Sequence, residues 1–167
     1  MQQLADTGVK KDQRRAVHYD CVAEIMPDVL GLVENHETIA RWSLAQICHH
    51  LAGSFNGSLD GFDLSNHRIK RWFFRRQLLR ATFAGGIPRN YMVDPNLTPP
   101  PVVDLTVAAN SLRQAIERYE SHEGSLKAHP LFGNMPRTTW DKLHCVHSAH
   151  HMAFVHPRAQ APGAGGD

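Results

Sequence analysis

His147 and His151 lie four residues apart in a segment, Leu143 to Phe154, that reads as a helix. An i, i+4 pair stacks on one helical face, with its members about 6 Å apart along the axis. Two imidazoles placed in that way can share one metal ion. Leu143 and Phe154 fall on the same face, so the pair is expected to look into a core rather than into water. Burying a histidine without a partner is costly. A divalent ion would meet those nitrogens, and so would a carboxylate, a backbone carbonyl or water. With 12 histidines in 167 residues, the pair by itself does not choose between a metal site and a hydrogen-bonded core. Ser148 follows His147 where a zinc protease of the HExxH type would carry Glu, which excludes that class. No Glu-x-x-His pair occurs, which excludes a di-iron carboxylate bundle.

The elements that must hold these histidines are helices. A first helix is expected from about Asp12 to Asn35, with Val17, Cys21, Ile25, Val29, Leu32 and Val33 at helical spacing. Pro27 should kink or split it. Ser43 can cap a second helix, with Gln46 as its capping-box partner. Leu44, Ile47, Cys48, Leu51 and Phe55 form the apolar stripe of that helix, so Cys48 reads as core rather than nucleophile. His50 falls at the edge of the stripe and can point between helices, whereas His49 is rotated about 100° toward solvent.

Asp104 can cap a third helix that ends near Gly124 and buries Leu105, Ala108, Leu112, Ala115, Ile116 and Tyr119. His129-Pro130-Leu131-Phe132-Gly133 reads as a loop, with His129 a hydrogen-bonding loop residue. Thr138 or Thr139 then caps a last helix that carries the pair and ends at Pro157. No segment shows convincing strand alternation. The expected fold is all-α: a four-helix bundle over residues 14–157, with a long insert at about 63–103 between the second and third helices. Residues 1–13 are expected to be a flexible N-terminus and residues 158–167 a disordered tail.

Within the insert, basic residues at 68, 70, 71, 75, 76 and 80 interleave with Trp72, Phe73 and Phe74. No single basic face results, so a surface helix that buries its aromatics is favoured over a nucleic-acid element. Gly85-Gly86-Ile87-Pro88 should stop this helix, and Pro95 with Pro99, Pro100 and Pro101 makes a stiff crossing. The three aromatics need burial, and the helix is expected to close over the metal pocket.

The formal net charge of +2 gives no general reason to invoke nucleic acid, and no apolar run approaches the ~20 residues of a membrane span. Three cysteines form no CxxC, and a cytoplasmic protein with reduced thiols is the simplest account.

Two segments carry a family likeness. Trp42-Ser43-Leu44-Ala45-Gln46-Ile47-Cys48-His49-His50-Leu51-Ala52 resembles the second-helix signature of the DinB-like (DinB/YfiT-like) superfamily. His129-Pro130-Leu131-Phe132-Gly133, Trp140 and His147-x-x-His150-His151 resemble its fourth-helix signature. The likeness runs from about Arg14 to Pro157 and is nearest to a branch of unknown function. It implies a four-helix bundle with a divalent metal, nickel or zinc, held by His50, His147 and His151. The implied activity is that of a metal-dependent S-transferase using a low-molecular-weight thiol, or of a hydrolase. A small molecule is the expected substrate, with a homodimer left open. The rivals are a non-catalytic binding or stress protein of the same fold, and a metal-free bundle whose histidines form a polar network. No general base stands out. His144, His150, His129 and Gln46 are near enough in sequence to join the site, and His144 is the substitute ligand if His50 points elsewhere.

Overall fold

Pro27 sets where the first helix begins. The computed structural model describes residues 13–62, 75–85, 87 and 98–158. In it α1 spans Ile25–Val33, and Pro27 is its third residue. The first-turn amides of a helix have no partner inside it, so the missing N–H of Pro27 costs nothing there. Residues 14–21 are not helical, which corrects the expected start at about Asp12. Val22–Glu24 is a short 3-10 turn instead, and the chain before it lies irregular along the core.

Arg15 fastens that segment. Its backbone N donates to Ala153 O at 2.8 Å and its Nε to Val155 O at 3.0 Å. Nη1 and Nη2 grip Asp28 at 2.7 and 2.6 Å, and the Tyr19 hydroxyl donates to the same carboxylate at 2.5 Å.

The second helix, α2, spans Leu44–Asp60 and opens on a full capping box. Gln46 N donates to Ser43 Oγ at 3.2 Å, and Ser43 N donates to Gln46 Oε1 at 3.0 Å. All five residues of its expected stripe are buried, and His49 is exposed.

Helix α3 spans Arg75–Gly85, ending at the glycine pair as expected, and leans on the last helix, where Lys142 Nζ lies 4.8 Å from the centre of the Phe83 ring. Gly85 and Ile87 border a cavity shared with Cys145 and Ala149, residues nearly opposite His147 on the helical wheel. The α3 end of the insert therefore flanks the face away from the histidine pair. Trp72, Phe73 and Phe74, on which closure over the pocket was expected, lie outside the described residues, as do residues 1–12 and 159–167.

Helix α4 spans Leu105–Glu120, and Asp104 Oδ1 accepts from Val107 N at 2.8 Å. It ends four residues before Gly124. Arg137 supplies the stop that the glycine was expected to give, donating to Tyr119 O at 2.8 Å and His122 O at 2.9 Å. Satisfying the last carbonyls with a guanidinium removes the need for a left-handed cap. Near its start, Pro100 O accepts from Gln46 Nε2 at 2.9 Å; near its end, Arg118 pairs with Asp60 at 2.6 Å. The starts of α2 and α4 thus meet, as do their ends, so the two helices run parallel. That arrangement requires the long crossing between them.

Helix α5 spans Arg137–Met152, with Pro136 as N-cap in place of Thr138 or Thr139. It runs antiparallel to α2. It also ends earlier than expected: Val155–Pro157 forms β2, paired antiparallel with β1, His36–Thr38. This two-stranded ribbon corrects the expectation of no strands. A ribbon of that size is not stable alone. Here Val155 is fully buried and Ile39 N extends the pairing to Phe154 O at 3.0 Å. The molecule is predominantly helical, and one buried cluster draws on α1, α2, α4 and α5. Among the described residues, no helix is long and apolar enough to cross a membrane.

Candidate metal centre

The capping box fixes where α2 starts, and with it the face on which His50 stands. The ribbon after α5 holds the His151 end of that helix. Phe154 N donates to His151 O at 3.2 Å as the chain turns into β2. Between these two anchored helices the Nε2 atoms of His50 and His147 come within 3.1 Å, as do those of His147 and His151. One ligand atom from each of the three lies within 4.8 Å of the other two. His50 is buried and the other two are half-buried. His144 is not needed as a substitute ligand.

Two of the three separations suit a metal ion. With bonds of about 2.0–2.1 Å, two nitrogens on one ion stand about 2.9 Å apart at a right angle and about 3.4 Å apart at a tetrahedral angle. The observed 3.1 Å lies between these. The donor set fits as well. Burial, and then the neighbouring imidazoles His151 and His50, hold His147 well below the usual histidine range. Burial, and then His50 and His150, do the same for His151. Both rings are therefore neutral at neutral pH, as ligands must be. His147 Nε2 faces two nitrogens but carries only one proton or one lone pair, so it makes one good hydrogen bond at most. A cation would engage all three lone pairs.

The rings brace one another edge to face, with centroids 5.1 Å apart for His50 and His147 and 4.8 Å for each of the other two pairs. Trp42 lies against the group, stacked on His151 at 5.4 Å and tilted against His50 at 4.9 Å. Ser54 Oγ stands 3.3 Å from His147 Nδ1. Neither Trp42 nor Ser54 was singled out for the site from sequence. Ser54 was discoverable there, since it is one turn beyond His50 on the same face of α2.

The other expected neighbours do other work. His144 is buried in the core, stacked on Phe55 at 3.9 Å, with Nε2 3.4 Å from Ser58 Oγ. Burial, followed by His129 and Arg137, pushes it down to about 3. His129 Nδ1 accepts from Leu131 N at 3.1 Å and Phe132 N at 3.3 Å, so it caps its own loop. Gln46 is committed to the capping box and to Pro100. His150 packs edge-on against His151 and Phe154 and is outside the cluster. Burial pushes the Cys48 thiol up to about 12, as suits a core residue.

A family model described as a protein of unknown function, DUF1569, matches residues 11–158. The chain belongs to the DUF1569 family. No curated protein and no solved structure matches it. The match spans every element from the Arg15 clamp to β2, so the histidines of α2 and of α5 all fall within the DUF1569 region.

Proposed function

We propose that this chain is a DinB-like four-helix-bundle metalloprotein that binds zinc or nickel through His50, His147 and His151 and acts on a small molecule in the cytoplasm. The convergence of three Nε2 atoms, two of their separations being 3.1 Å, is the observation that carries the reading. Three protein ligands leave a fourth position open, as catalytic rather than structural zinc sites do. A divalent ion supplies Lewis acidity, lowering the pKa of a water or thiol. Neutral imidazoles cancel none of the ion's charge, and among the described residues the cluster includes no carboxylate. The site therefore favours a partner that is anionic or easily deprotonated. A thiol-dependent S-transferase and a hydrolase both meet that condition.

Elemental analysis of untagged protein, purified without chelator, tests the reading. About one zinc or nickel per chain, lost in His151→Ala, supports it. Metal-free protein overturns it and leaves a histidine network, because 3.1 Å is also a hydrogen-bond length. Turnover with a panel of thiols and electrophiles then separates an enzyme from a binding protein.

A further inference from the structure

A histidine that ligates through one ring nitrogen must carry its proton on the other, and that N–H needs an acceptor. For His147 the geometry divides the two nitrogens cleanly. Nε2 faces His50 and His151, while Nδ1 faces Ser54 Oγ at 3.3 Å. We propose that Ser54 is the positioning residue of the centre: its hydroxyl oxygen accepts the Nδ1–H of His147 and so fixes the tautomer whose Nε2 lone pair points at the metal. This rests on the metal-site reading above.

Helix geometry brings Ser54 to His147. It follows His50 by one turn on α2, so a single helix face delivers one ligand and the support for another. A second serine–histidine pair lies one turn further along the same two helices. Ser58 Oγ donates to Phe55 O at 2.6 Å and stands 3.4 Å from His144 Nε2. The His144 ring is packed among Phe55, Tyr119 and Trp140 and takes no part in the cluster. The Ser58 pair is therefore a built-in control, a serine–histidine contact with no ligand to orient.

A hydroxyl is a weaker acceptor than the carboxylates that often support a ligating histidine. Its loss should fall at the lower end of the usual effect, about tenfold in metal affinity. The test is the dissociation constant for Zn2+ and Ni2+, measured by competition with a chromophoric chelator on the full chain. Ser54→Ala should weaken binding about tenfold. Ser54→Thr should restore it. Ser58→Ala should lower the melting temperature and leave the metal constant unchanged. Long-range proton–nitrogen spectra should show His147 protonated at Nδ1 in the wild type and as a tautomer mixture in metal-free Ser54→Ala. Wild-type affinity in Ser54→Ala, or equal weakening in Ser58→Ala, overturns the proposal. If the wild type binds no metal, the metal reading falls separately. The tautomer comparison on the metal-free proteins then decides the role of Ser54: a loss of the Nδ1–H form in Ser54→Ala supports it, and the same tautomer in both overturns it.

Discussion

His50 and His147 are 97 positions apart in the chain, yet their Nε2 atoms lie 3.1 Å from each other. Two imidazole nitrogens at that distance share either a proton or an ion. A metal that binds the folded chain stabilises it by mass action, by about 2.7 kcal/mol at a free concentration of one hundred times Kd. For a domain of this size that corresponds to roughly 5–10 °C in melting temperature. Chelation at neutral pH should produce a fall of that order. His50→Ala, His147→Ala and His151→Ala should each remove the response while remaining folded, because the core does not depend on these rings. Melting curves insensitive both to chelator and to added zinc or nickel would count against the centre.

His144 makes the fold sensitive to acid independently of any metal. Its folded-state pKa is pushed down to about 3, against 6.5 for an ordinary histidine, by burial first and then by His129 and Arg137. Between those values the unfolded chain binds more protons, so stability falls as pH drops from about 6.5 toward 3. The slope is at most about 1.4 kcal/mol per pH unit for one such group. His129, pushed down to about 3 by burial, adds in the same direction. His144→Phe should cost about 1–2 kcal/mol at neutral pH. It should also flatten the decline between pH 6.5 and 4, measured by urea unfolding. An unchanged slope would show that His144 takes up no proton on unfolding.

Much of the site could be read from sequence because it is written in local spacings. The Ser43–Gln46 capping box fixes the register of α2, which in turn puts His50 inward and His49 outward. The i, i+4 spacing of His147 and His151 fixes their shared face. What escaped depends on contacts between distant segments. The irregular course of residues 14–19 follows from Arg15 meeting Asp28 and Val155. The early end of α5 follows from Val155 pairing with Thr38. Neither partner is visible from local periodicity. Pro27 marks a break, and the Arg15 clamp is the contact that holds the chain before it in an irregular rather than helical course.

That clamp should be worth measuring. Burial tends to raise the Asp28 carboxyl, but the hydrogen bonds from Arg15 and Tyr19 outweigh it and hold the group below the usual carboxylate range. Asp28→Ala removes the acceptor of three donor groups and should cost roughly 2–3 kcal/mol at neutral pH, allowing for partial exposure. A lowered carboxylate pKa stabilises above the unfolded value of 3.8 and ceases to do so as pH falls through the folded value. The penalty should therefore shrink below about pH 4, at the acid end of the His144 window. A penalty constant from pH 7 down to 3 would assign it to packing rather than to charge.

Trp42 offers an optical report on the centre. Its indole stacks on His151 with an interplanar angle of 15° and tilts against His50 at 52°. An ion held by those rings would sit close enough to alter the environment of the indole directly. Titrating chelated protein with Ni2+ should quench part of the tryptophan emission, and Trp42→Phe should remove most of that change. Trp140 is buried beside His144 and should contribute little, since its nearest imidazoles, His129 and His144, are outside the cluster. Binding itself should survive in Trp42→Phe, as chelator competition would show. A nickel-dependent quench of undiminished size when Trp42 and Trp72 are both replaced by Phe would mean that the ion binds elsewhere, and the assignment of His50 and His151 as ligands would fall with it.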